Sequence, residues 1–335
     1  MKIDFLVPGL LDSPSTKIIR EFAPALARLM GRSSVLPVPG DSRESWLAAQ
    51  FGESSGKLFP FAAIASHGEL IPKNGDKYWL RADPVHFSVN RDRIVLLDAS
   101  QLEISTAEST ALVLALQGHF KSDALIFYAP HPQRWYISTN EPIEIRTHPV
   151  ANVCGCNVAD YWFHGPARAQ WQTRLSEMQM LLHAHPVNEA RETAGQLPIN
   201  GVWLWGEGEM SSALPKRYVQ IIADDVMLNG IAKTTSTKYL EASQFQWNEL
   251  SASDAGTTLI ALHQLESSAA YGEWDSWRIA LAALEQSWFS PALAALRKRQ
   301  IRVINLIAPS KNHSKAFAIF HTDLYKFWRR ATFHD

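Results

Sequence analysis

Three short runs, 218–223, 258–263 and 302–307, constrain the fold of this chain more than anything else in it. Each is apolar and rich in β-branched residues, and helix-length sequence separates the last two. A strand that is apolar on both faces tolerates water on neither. Such strands belong inside a parallel sheet covered by helices on both sides. Residues 3–7 add a further buried strand, ended by Pro8-Gly9. Apolar residues recur with helical spacing over 15–30, with Gly31 as the stop signal, and another helix is expected over about 43–51. Residues 277–299 supply one or two more helices, and Asp224 or Asp225 caps the helix that follows the 218–223 strand.

The stretch 83–139 has a different grain. Strands are expected at 86–90 and 93–97, then a helix over 105–119 opened by Ser105 with Glu108 three residues on, then strands at 124–128 and 135–138. Strand–strand–helix–strand–strand is a compact α+β unit of the kind inserted into larger folds. A helix over 167–184 follows, ending before Pro186. The expected fold class is therefore α/β: a mostly parallel sheet with helices on both faces, formed by 1–82 and 196–335, with a smaller α+β domain inserted at 83–195.

Composition narrows the function classes. A hydrophobic share of 46% and 12 tryptophans allow a large core, and a net charge of −1 argues against nucleic acid or an anionic membrane as the main partner. No run approaches the roughly 20 apolar residues of a membrane span, and the N-terminus lacks a leader pattern. A cytoplasmic protein is expected. Cys154 and Cys156 flank a single glycine, too close for an unstrained disulfide and without the His or Cys pair of a zinc site, so they read as a reduced pair.

Between the two halves lies Asn200-Gly201-Val202-Trp203-Leu204-Trp205-Gly206-Glu207-Gly208, read as a buried strand running into a tight Gly-x-Gly turn. It is preceded by His185-Pro186-Val187-Asn188, Arg191, Gly195 and Pro198. The combined block His-Pro-x-Asn-x-x-Arg, Gly, Pro-x-Asn, Trp-Gly-x-Gly resembles the archaeal-type, cofactor-independent phosphoglycerate mutases of the alkaline phosphatase superfamily. The stretch 223–232 is similar to the family's next strand–helix element, and 83–139 to its inserted domain. Residues 79–86 and 177–182 are also similar to blocks of bacterial relatives, the RpfE-type regulatory proteins.

The resemblance implies an alkaline phosphatase-like sheet, two divalent metals held by Asp and His, and a serine that becomes phosphorylated. Carboxylates and imidazoles are needed there because two close dications must be neutralised while they polarise phosphoryl oxygens. Several of those positions are vacant of ligands here. The first family aspartate falls on Pro8, the family histidine on Ala270 or Tyr271, and the last Asp-His pair on Ala308-Pro309, with His313 four residues on. Glu266 and Glu273 keep carboxylates, and Ser42 is the nearest equivalent of the nucleophile.

Two readings stay open. On the first, the chain is a catalytically degenerate, regulatory or ligand-binding protein without a resident cofactor. It binds a small phosphorylated or carboxylated molecule through Asn188, Arg191, Asn200, Gly206 and Gly208. On the second, it is a metal-dependent mutase or phosphatase in which Ser42 is the nucleophile and Asp12, Glu266, Glu273 and Asp275 hold Mn²⁺ or Mg²⁺. A third possibility is a protein partner docking on Phe327 and Trp328 in the tail. Each site residue also has a plain structural role. Ser42 reads as a helix cap, Arg191 as a brace, His185 as a helix-end residue bonding a carbonyl, His86 as a structural hydrogen-bonder, and Trp203 and Trp205 as core.

Overall fold

The computed structural model describes residues 1–13, 15–52, 58–72, 75–90, 93–210, 213–250, 256–310, 314–326 and 328. His313 and Phe327 lie outside the described residues. The chain forms two compact units, 1–52 with 214–335, and 53–213. Its strands are β1 (Lys2–Leu6), β2 (Ser34–Pro37), β3 (Tyr78–Asn90), β4 (Arg93–Leu97), β5 (Ile126–His131), β6 (Arg134–Thr139), β7 (Gly201–Glu209), β8 (Gln220–Ile222), β9 (Lys238–Leu240), β10 (Thr257–Ala261), β11 (Val303–Ala308) and β12 (Lys315–Phe320).

The first unit is built on a seven-stranded sheet in the order β2-β12-β11-β1-β10-β8-β9. The five strands from β11 to β9 run parallel, and β12 pairs antiparallel with both β11 and β2. The apolar runs are thus inner strands. Ile3, Phe5, Ile260, Ile304 and Leu306 pack into one core, while Leu6, Leu259 and Ile307 are buried on the opposite face. All four residues of the edge strand β2 are exposed. An edge strand needs no apolar alternation, so periodicity gives no sign of it.

The helix expected over 15–30 is two helices, Thr16–Phe22 and Pro24–Arg32. Pro24 has no N–H to continue the first ladder and a φ suited to starting the second. Ala23 offers no side-chain cap. The cap arrives from far along the chain: the buried Glu285 accepts from the N–H of Ala25 at 2.7 Å and of Leu26 at 3.1 Å. Glu285 opens a π-helical turn, Glu285–Phe289, between the helices Trp274–Leu284 and Ser290–Arg297. Trp274–Arg297 spans 24 residues, by length and composition alone enough to cross a membrane. Its apolarity has a use within the unit, since Trp277, Leu281, Trp288, Phe289 and Leu296 belong to the core under the sheet.

The second unit is an antiparallel sheet in the order β4-β3-β6-β5, with β7 also paired to β3. The helices Thr106–His119 and Arg168–His183 cover one face, burying Trp135, Trp171, Leu116 and Met178. The 13-residue β3 is bonded by β7 all the way from Tyr78 to Val85. The β3–β7 pairing runs through Ala82, so the two strands belong together in the unit 53–213.

Candidate active site

At the carboxyl ends of the parallel strands, β8 runs into Asp224-Asp225 and β10 into His263, and the helix Glu266–Tyr271 follows. The helix Arg43–Phe51 sends Arg43 and Glu44 to the same place. Arg43 is the centre of the group. Its Nη2 is 2.5 Å from Glu44 Oε1, and its Nη1 is 3.2 Å from Asp225 Oδ2 and 3.5 Å from Glu266 Oε2. His263 Nε2 is 3.4 Å from Asp225 and its Nδ1 3.9 Å from Glu266. The sequence singles out Glu266 as a metal-ligating carboxylate and Glu44, beside Ser42, as part of a phosphoenzyme site. Arg43 and His263 carry no motif, and Asp225 was read only as a cap, a role it also performs by accepting from the N–H of Leu228 at 2.8 Å.

The electrostatics follow from this crowding. Burial works against the charged form of Arg43, but attraction to Glu44, Glu266 and Asp225 outweighs it and raises its pKa. Burial alone would raise the Asp225 pKa; Arg43 first, then His263 and the Leu228 N–H, pull it below the usual carboxylate range. His263 is pushed down to about 4 by burial and then by Arg43, against the opposing pull of Asp225 and Glu44, so it is neutral at pH 7. Glu44 Oε2 and both nitrogens of His263 are buried without hydrogen-bond partners. Glu44 in a first helical turn and Asp225 at a helix N-cap are both favoured by helix dipoles, which helps three carboxylates coexist beside one guanidinium.

The remaining residues expected at a metal centre do not join this group. Asp12 accepts from Ser310 Oγ at 2.6 Å. Asp275 is exposed and ion-paired to Arg278, and Glu273 is an exposed residue at the start of the helix Trp274–Leu284. Ser42 is the N-cap of Arg43–Phe51, in a capping box with Ser45 whose hydroxyls lie 2.8 Å apart. Gly9, after Pro8, has φ +78°, and a Cβ there would meet Leu265 O at 2.7 Å, so the turn leaving β1 is pressed onto the turn leaving β10. Among the described residues no group of three or more His, Cys, Asp or Glu is disposed to hold a metal. The donor set does not fit two divalent ions, since a permanent cation already sits among its carboxylates.

The second unit accounts for the residues expected to bind ligand. Arg191, 2% exposed, donates from Nε to Leu197 O at 2.8 Å, from Nη1 to Glu108 at 2.7 Å and from Nη2 to Leu102 O. Asn188 donates to Leu182 O and Ile199 O and accepts from the N–H of Ile199 at 2.7 Å. Asn200 bonds both the N–H and the carbonyl of Phe87. Gly206 and Gly208 lie inside β7, not in a turn after it, and Cβ atoms there would meet Phe61 Cβ at 3.0 Å and Pro60 Cβ at 2.8 Å. The block holds the junction between the helix Pro186–Thr193, the helix Thr106–His119 and the sheet, and presents none of these groups to a ligand. His185 caps Pro186–Thr193 by accepting from the N–H of Val187 at 3.2 Å; the sequence reading had it bonding a carbonyl. His86 Nδ1 is 2.9 Å from Pro198 O, and Trp203 and Trp205 are buried with their N–H groups on His148 O and Asp83.

No protein-family model matches the sequence. Over 133 residues it is 28% identical to a probable 2,3-bisphosphoglycerate-independent phosphoglycerate mutase of Geobacter sulfurreducens, an alignment covering 38% of this chain and 33% of that protein. Over 134 residues it is 31% identical to 2,3-bisphosphoglycerate-independent phosphoglycerate mutase 2 of Methanothermobacter thermautotrophicus, covering 38% and 32%. Its relatives are cofactor-independent phosphoglycerate mutases. The chain spans about a third of the length of these curated relatives. The solved PH0037 protein of Pyrococcus horikoshii aligns with a TM-score of 0.52 and 12% identity, over 95% of this chain and 87% of that one. A cofactor-independent phosphoglycerate mutase of Thermoplasma acidophilum aligns with a TM-score of 0.46 and 15% identity, over 95% and 89%. The likeness to PH0037 is a likeness of fold.

Proposed function

We propose that this is a catalytically silent, phosphoglycerate mutase-like protein that works by binding and regulation, the role implied by its resemblance to RpfE-type proteins. The reading rests on Arg43, paired with Glu44, Asp225 and Glu266 at 2.5, 3.2 and 3.5 Å at the carboxyl end of the sheet. Phosphoryl transfer on two metals needs open carboxylates, a dry cationic centre and a free nucleophile. Here the carboxylates share a guanidinium and the serine hydroxyl caps a helix. Nor does the cluster favour a phosphorylated ligand, because its one cation is committed and its surplus charge is negative.

The test is interconversion of 2- and 3-phosphoglycerate by the chelator-stripped protein, with and without added Mn²⁺ or Mg²⁺. No turnover above buffer is expected in any condition. Metal-dependent turnover that falls on Ser42→Ala would replace this reading with the mutase one.

A further inference from the structure

We propose that Arg43 is a built-in counterion standing where a bound cation would otherwise have to be, and that it alone keeps this pole of the sheet free of divalent metal. The inference rests on the reading of the site as silent and says how that silence is built. Three carboxylates, from a helix start (Glu44), a helix cap (Asp225) and a short helix after β10 (Glu266), come within 3.5 Å of one guanidinium. Like charges are not gathered this closely without a cation between them. Arg43 meets them with a fork of several N–H donors, and at 2.5 Å its shortest pair is a tight one. It brings one charge against three. Among the described residues Glu44 Oε2 is left without a partner although Glu44 is 1% exposed. A small divalent ion in the same space would bring twice the charge and prefer the same hard oxygen donors.

The guanidinium also denies such an ion its room. Carboxylate oxygens bind Mg²⁺ or Mn²⁺ at about 2.0–2.2 Å, and that approach is closed while a planar group lies among them. Truncating Arg43 removes the charge and opens the space in one step. The carboxylates it had neutralised then repel one another around a void lined by oxygen and imidazole donors, which is a description of a cation site.

The experiment is thermal unfolding of the full chain and of Arg43→Ala with Mn²⁺ titrated into chelator-stripped protein. The wild type is expected to melt at the same temperature at every Mn²⁺ concentration. Arg43→Ala should melt lower without metal and gain roughly 5 °C at a hundredfold excess over its dissociation constant. Adding Glu266→Gln to Arg43→Ala should weaken Mn²⁺ binding about tenfold or more, which distinguishes ligation from nonspecific screening. If Arg43→Ala does not fold without metal, Arg43→Gln, which keeps much of the volume without the charge, is read the same way with a smaller shift. A wild type stabilised by Mn²⁺ overturns the proposal, and so does a folded variant that Mn²⁺ leaves unchanged. The second result leaves the silent reading standing; turnover by the wild type removes that reading without bearing on the variant.

Discussion

Two arginines, one in each unit, behave differently in the fold: Arg191 is buried and Arg43 half-buried. Arg191 meets one carboxylate and two carbonyls, and every partner it needs is present. Arg43 meets three carboxylates and no carbonyl, and its neighbours Glu44 and His263 keep polar atoms without partners. The first is a saturated brace. The second is a cluster with surplus negative charge, held together by the tertiary structure against its own repulsion. Saturation marks the Arg191 arrangement as structural, because most buried donors and acceptors in a native fold are paired.

The largest effect expected from this contrast is at the brace. Arg191→Met should cost about 3–5 kcal/mol in urea unfolding, as Glu108 loses its partner and two buried carbonyls are orphaned. A loss under about 1 kcal/mol would mean that Arg191 is not structural and would return it to the ligand-binding reading.

A pH titration of stability sharpens the other side. His263 is neutral in the fold, with a pKa of about 4 against an ordinary 6.5. The unfolded chain therefore binds this proton first as pH falls. The stability tied to the neutral imidazole is complete above about pH 6.5 and is lost as pH falls toward about 4. The loss should be on the order of 3 kcal/mol, and His263→Phe should flatten that limb of the profile. The lowered pKa of Asp225 adds a further loss below the ordinary carboxylate range.

Carboxylate removal gives the sharpest comparison. Glu108→Gln removes the carboxylate paired with Arg191 and weakens the capping box at Ser105, and should cost about 1–2 kcal/mol. Glu266→Gln relieves a cluster that holds too many negative charges, and urea unfolding should move by no more than about 0.5 kcal/mol in either direction. Equal costs at the two positions would erase the distinction drawn here. Ser42→Ala should cost about 1 kcal/mol for a lost cap, with the pH profile unchanged.

The strands β1, β8, β10 and β11 and the helices Arg43–Phe51, Thr106–His119 and Arg168–His183 were legible because apolar periodicity and caps are local signals. β2, β9 and the helix Phe61–Gly68 were not read. The 15–30 helix was read through Pro24, whose break is supported by a glutamate 260 residues away. The family block was recognised from its residues, but its part in the fold was not. Asn188, Arg191 and Asn200 have the chemistry of ligand contacts, and only their carbonyl partners reveal them as braces.

By itself, the sequence determined the class of fold and the positions that bring no metal-coordinating side chain. Both-face apolarity needs a covered parallel sheet, and Pro8, Ala308 and Pro309 bring no coordinating side chain whatever their surroundings. The tertiary structure alone decided that Arg43, Glu44, Asp225, His263 and Glu266 share one place. They come from three separate segments, 43–44, 225 and 263–266, and charge acts through space across only a few ångströms. Only after the chain closes are those distances set.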